Sequence, residues 1–117
     1  MKALEDKEAC DAATIRVEDS DAAVLMFAGS DDRVWPSAAL SKIAIDRLEL
    51  HGSAKPHELV IFQGAGHGQG IPNRPTTVRQ TTTFSGSKLL FGGGAAANAR
   101  ANTEAWQRTI SFFKENL

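Results

Sequence analysis

Ala22-Ala23-Val24-Leu25-Met26-Phe27-Ala28-Gly29-Ser30-Asp31-Asp32 is the stretch on which the fold turns. An unbroken apolar run stops at a glycine, and a polar turn follows. The run is short and lacks polar alternation, so it reads as a strand buried on both faces, the kind found in parallel sheets. Working outward, Pro36 is placed to open a helix reaching about Leu50, whose Leu40, Ile43, Ala44 and Leu48 gather largely on one face. Gly52 stands behind it as a C-terminal cap. Leu59-Val60-Ile61-Phe62 repeats the pattern as a second short strand, closed by Gln63-Gly64-Ala65-Gly66-His67-Gly68-Gln69-Gly70. Upstream, Ala3 to Ala13 reads as a short exposed helix, followed by an extended Thr14 to Val17 and a polar break at Asp19-Ser20-Asp21. Downstream, a long loop spans 68–94, with room for an irregular hairpin around Ser85-Gly86. In the last helix Ala99, Thr103, Trp106, Ile110 and Phe113 predict one apolar stripe. Strands alternating with helices define an α/β chain, with two parallel strands and three helices in a single domain over 1–117.

Composition removes several classes. A chain of 117 residues, 42% apolar, can build one modest core. No apolar run approaches the roughly 20 residues of a membrane span, and no basic segment leads into an apolar one as in a signal peptide. One cysteine, Cys10, cannot form an intramolecular disulfide, which fits a cytoplasmic chain. A net charge of -1 and a pI near 6.3 lack the basic footprint of a nucleic-acid binder. The charge is uneven, however. Residues 1–32 hold nine acids against Lys2, Lys7 and Arg16, while residues 33–117 hold ten bases against five acids. Two solvated faces that attract each other would account for this. So would an anion-friendly surface of Arg33, Arg74, Arg79 and Lys88 suited to a phosphorylated ligand, and the sequence leaves both open.

Titratable groups follow both strands: Asp31 and Asp32 after the first, His67 after the second. Ligands of open α/β sheets bind at the carboxyl ends of the strands. Parallel strands would bring these carboxylates and the imidazole to one edge, where a carboxylate can orient a histidine and stabilise its protonated form. The plainer alternative has Asp31 and Asp32 capping the next helix and His67 as an ordinary loop residue. Gly64, Gly66, Gly68 and Gly70 alternate but miss G-x-G-x-x-G, because Gln69 and Ile71 occupy the required positions. His51, His57, His67 and Cys10 lack metal-ligand spacing. No cofactor and no metal are expected. Trp35 and Trp106 read as core or rim aromatics, with a ligand-binding role for Trp35 as the alternative.

The segment from Val24 through Asp32-Arg33-Val34-Trp35-Pro36-Ser37 resembles the acid-bearing strand and turn of α/β-hydrolases. More narrowly, it is similar to the dienelactone hydrolase-like C-terminal region shared by acyl-CoA thioester hydrolases and bile acid-CoA:amino acid N-acyltransferases. The similarity continues through His51-Gly52, Gly64-Ala65-Gly66-His67, Gly92-Gly93-Gly94, Asn98-Ala99-Arg100 and the helix bearing Trp106 and Phe112-Phe113. It implies a partial α/β-hydrolase fold in which Asp32 is the triad acid, His67 the triad base and Asp31 a neighbour. One part of the pattern is missing. Such enzymes carry Ser or Cys on a G-x-S-x-G turn before the acid and the histidine, and these 117 residues contain none. Ser85-Gly86-Ser87 lies after the histidine, Cys10 sits among alanines as a bystander thiol, and the usual oxyanion donors go with the missing turn. The resemblance therefore implies a truncated acyl-CoA thioesterase- or acyltransferase-like region, not catalytic alone. Alternatives are one half of a split thioester hydrolase whose separate chain carries the nucleophile, a small binding or assembly module, or a hydrolase using Ser85 or Cys10. Two strands leave open edges, so a homo-oligomer that completes the sheet is expected, with no nucleic-acid or membrane partner.

Overall fold

A computed structural model describes residues 5–117. Its elements are helices α1 (Lys7–Ala13), α2 (Ser37–Leu50) and α3 (Ala95–Asn116) and strands β1 (Val24–Gly29), β2 (His57–Phe62), β3 (Gln80–Thr82) and β4 (Lys88–Leu90). Strands β1 and β2 pair in parallel, in register from Val24↔His57 to Gly29↔Phe62. They end level, so the turns that follow them emerge side by side. The crossover between them runs through α2. This helix closes in a Schellman motif, with Ser53 N–H donating to the Leu48 carbonyl at 3.0 Å and Gly52 N–H to Glu49 at 3.1 Å. Gly52 takes the left-handed conformation, φ +63, that this cap requires.

Two expectations need amendment. Helix α1 begins at Lys7, capped by the Asp6 carboxylate on Ala9 N–H at 3.0 Å, and Ala3 and Leu4 of the expected helix lie outside the described residues. Val17 does not end an extended segment but opens a single 3-10 turn over Val17–Asp19. That turn carries Glu18, whose carboxylate meets Arg47 of α2 in a two-pronged ion pair, Nε to Oε2 at 2.5 Å. The Arg47 hydrogen bonds hold the Glu18 carboxyl down at about 2. The hairpin expected around Ser85-Gly86 in the long loop is present: β3 and β4 pair antiparallel as a second small sheet.

Packing differs from the expectation in a way that matters later. Alternation along the strands sends Phe27, Val60 and Phe62 to one face, where they meet Ala65, Ala101 and Ala105. Met26 and Ala28 turn to the other face, which α2 covers with its fully buried Leu48. Yet the strands are not buried on both faces, since Ile61 of β2 remains 39% exposed. Two strands are too narrow a sheet for two helices to seal. Helix α3 presents its small face to the sheet, with Ala101, Asn102 and Ala105 buried. The stripe read from periodicity points outward instead, leaving Trp106, Ile110 and Phe113 exposed. Alanines let the helix backbone approach Phe62 and Ala65 closely, so the smaller side chains take the inner position. Among the described residues no helix is long and apolar enough to cross a membrane.

Candidate active site

The site is built where three backbone segments cross. Turn 30–32 after β1 and turn 63–67 after β2 are laced directly: Ser30 N–H donates to the Phe62 carbonyl at 3.1 Å and Asp31 N–H to Ala65 at 2.9 Å. Gly64 N–H returns a bond to Ser30 Oγ at 2.8 Å. The third segment, 91–94, leaves the hairpin and binds both turns. His67 N–H donates to the Phe91 carbonyl at 2.7 Å, Gly94 N–H to Gly64 at 3.0 Å, and Asp32 pairs with Gly92 as an antiparallel bridge. Gly92 has φ +73, and a Cβ there would strike the Asp31 carbonyl oxygen. Only glycine fits such a position without displacing its neighbour. Asn98, in the first turn of α3, finishes the crossing by accepting Gly66 N–H at 2.8 Å.

This scaffold brings Asp32 and His67 together, Oδ2 to Nδ1 at 3.0 Å. The second carboxylate oxygen of Asp32 accepts the N–H groups of Val34 at 2.9 Å and Trp35 at 3.3 Å. The Asp32 side chain is 3% exposed and that of His67 28%. Burial pushes the Asp32 carboxyl up, but hydrogen bonds from His67, Ser37, Val34 and Trp35 outweigh it and hold the group below the usual range. An ionised Asp32 accepts a hydrogen bond from Nδ1–H, which leaves Nε2 as the unprotonated nitrogen of the neutral ring. Among the described residues nothing hydrogen-bonds to Nε2. Trp35 stands edge-on to the imidazole at 4.8 Å and 90°, and Phe91 stacks on it at 6.3 Å and 17°. The histidine borders a cleft of about 480 Å³ whose apolar wall includes Met26, Phe27, Trp35, Leu40 and Ala44. An imidazole beside an apolar wall suits a ligand with one reactive polar group on an aliphatic body.

Other expected residues fall elsewhere. Asp31 does not cap α2: its carboxylate accepts Gly93 N–H at 2.9 Å and Arg33 Nε at 3.0 Å, and these bonds lower its pKa. Pro36 begins α2 with no side-chain cap bond, so the capping by Asp32 is confined to its own turn. Trp35 is 54% exposed, a rim residue and not a core one. Ser85 bonds Thr83 and Ser87 within the hairpin turn, at 2.8 and 3.4 Å. Cys10 borders a groove between α1 and α2 with Ile15 and Ile43. Neither shares a cleft with His67. Two residues escaped the sequence reading as parts of the site. Phe91 both stacks on His67 and receives its N–H; its only signal was its place before the glycine triplet. Asn98 was visible as the one polar residue in an alanine run, but not as the anchor of Gly66.

Comparison with known proteins supplies an independent line. Over residues 1–117 the chain matches the family described as BAAT / Acyl-CoA thioester hydrolase C terminal. It is 35% identical to acyl-coenzyme A thioesterase 5 of Mus musculus, 34% to mitochondrial acyl-coenzyme A thioesterase 2 and 30% to the peroxisomal succinyl-coenzyme A thioesterase of the same species. Each match runs over 103 residues, 88% of this chain but only 24%, 22% and 24% of the respective relative. The chain thus spans about a quarter of the length of the curated relatives it matches.

Proposed function

The chain belongs to the BAAT / acyl-CoA thioester hydrolase C-terminal family, and from that membership we propose that it is the acid-and-histidine portion of an acyl-CoA thioesterase- or acyltransferase-like hydrolase, inactive until a nucleophile from outside these 117 residues faces His67. The observation that carries this reading is a preformed Asp32–His67 pair in a sequence without a G-x-S-x-G turn. In the assembled site His67 Nε2 takes the proton of a Ser or Cys as it attacks the thioester carbonyl. Asp32 stabilises the resulting imidazolium, and His67 returns the proton as the coenzyme A thiolate departs. Water or an amine then attacks the acyl-enzyme, which separates hydrolase from transferase. Oxyanion donors come with the nucleophile turn and an earlier loop in such folds, so they too are external here.

The reading extends to assembly. The outer edges of β1 and β2 are unpaired among the described residues, and Trp106, Ile110 and Phe113 face outward. Both features support coverage by a second polypeptide, either a copy of this chain or one bearing the nucleophile. Intact-mass spectrometry after mixing with an acyl-CoA tests the proposal. We expect no acyl adduct on Ser85, Cys10 or any other side chain; an adduct lost in His67→Ala would contradict it.

A further inference from the structure

A second cleft of about 480 Å³ lies beside the crossing and shares no lining residue with the His67 cleft. Arg33 and Arg79 border it, together with Thr77, Gln80, Asp31 and Gly93. The Asp31 carboxylate also lines it and is held in an ion pair with Arg33, so the unbalanced positive charge comes from Arg79. One carboxylate oxygen is taken by Gly93 N–H at 2.9 Å and the other by Arg33 Nε at 3.0 Å, so Asp31 orients the Arg33 fork and leaves its terminal nitrogens for a ligand. Arg79 has no carboxylate partner among the described residues, and its carbonyl, accepting Phe91 N–H at 2.8 Å, ties its backbone to the crossing. Thr77 and Gln80 add neutral donors. From residue 59 to 103 the sequence holds Arg74, Arg79, Lys88 and Arg100 and no acid at all. Two guanidinium groups bordering one cleft, that of Arg79 without a carboxylate partner among the described residues, suit a phosphoryl oxyanion.

We propose that this cleft is a phosphoryl subsite, and, resting on the reading above, that it holds a phosphate of the coenzyme A moiety. The identifying chemistry is the phosphoryl oxyanion, which free phosphate shares, so the test separates the two sources. Coenzyme A, pantetheine (the same arm without phosphates) and inorganic phosphate are titrated into the full chain while the Gly92 and Gly93 amides are followed by NMR. Coenzyme A should shift both amides, weakening as salt rises, and pantetheine should not. Arg79→Gln and Arg33→Gln should each weaken coenzyme A binding about tenfold, in line with loss of one partly exposed charged hydrogen-bonding partner. Arg108→Gln, which removes a charge from α3, should change nothing. If inorganic phosphate binds as well as coenzyme A, with the same dependence on Arg79, the subsite stands and the acyl-CoA reading falls. If coenzyme A binds equally to wild type and both arginine variants, the subsite falls and the acyl-CoA reading stands. Absence of any shift with coenzyme A or phosphate overturns the subsite.

Discussion

The turns that follow β1 and β2 and the outer face of α3 belong to one small chain but differ in kind. At the turns, backbone and side-chain polar groups find partners within the chain, and among the described residues no buried side-chain donor or acceptor is left unpaired. Ser30, Asp31, Asp32, Gly66, His67 and Asn98 are each held by at least one bond from another segment. On α3 large apolar residues are only half covered: Trp106 is 44% exposed and Phe113 54%. Hydrogen bonds are directional, and three short segments that cross can satisfy them among themselves. Burial of apolar area needs a second extended surface, and the described residues supply none for this face. The Asp32–His67 corner is therefore well bonded among the described residues, whereas the outer face of α3 is not covered by them.

That contrast can be broken most forcefully at Gly92. Replacing it with alanine sets a Cβ against the Asp31 carbonyl at a positive φ, and we expect a loss of about 3 kcal/mol or more in urea unfolding. A loss well under 1 kcal/mol would show that the crossing yields easily. Asn98→Ala is milder. It orphans the Gly66 N–H, a cost of about 1–3 kcal/mol by the same measurement, and should loosen the His67 turn with it.

The opposite result is expected on the exposed face. Trp106→Gln combined with Phe113→Gln should leave the stability of the single chain within about 0.5 kcal/mol of wild type. We expect light scattering to detect an assembly of the unmodified protein, and the same pair should dissolve it. A wild-type chain that scatters as a well-folded monomer near 12.5 kDa at micromolar concentration would remove the need for a covering partner.

The smallest effect concerns acid. The Arg47 bond holds Glu18 near 2 against an ordinary value of 4.5, so the folded state releases this proton more readily than the unfolded chain. The resulting stabilisation is complete above pH 4.5 and is lost as pH falls toward 2. Asp32, also lowered, adds in the same direction. Glu18→Gln should flatten this acid limb while leaving the profile above pH 5 unchanged; an unaltered limb would place the acid sensitivity elsewhere.

The residues differ in how legible they were. β1 and β2 were readable because short apolar runs ending in glycine have few other solutions, and the parallel order followed from the helix between them. That a carboxylate and His67 would share one edge was readable because strand ends collect polar turns there, while the choice of Asp32 over Asp31 came from the resemblance to α/β-hydrolases. The inward face of α3 was not. Periodicity locates apolar stripes, but Ala101 and Ala105 beside Trp106 and Phe113 gave two candidate faces, and close approach to Phe62 decided for the smaller one. The roles of Phe91 and Asn98 rest on contacts 24 or more positions away along the chain, Phe91 with His67 and Asn98 with Gly66, which no local pattern encodes.

The central claim, a formed acid–histidine pair with nothing to activate, is tested most directly by steady-state turnover of the purified chain on acyl-CoA and p-nitrophenyl esters at pH 7 to 8. General-base assistance alone supplies about 10²–10⁴-fold, whereas complete enzymes reach about 10⁶-fold or more. We predict a rate close to that of free imidazole, almost unchanged in Asp32→Asn and His67→Ala. A wild-type rate thousands of times above imidazole, abolished in either variant, would mean that a nucleophile within these 117 residues completes the site.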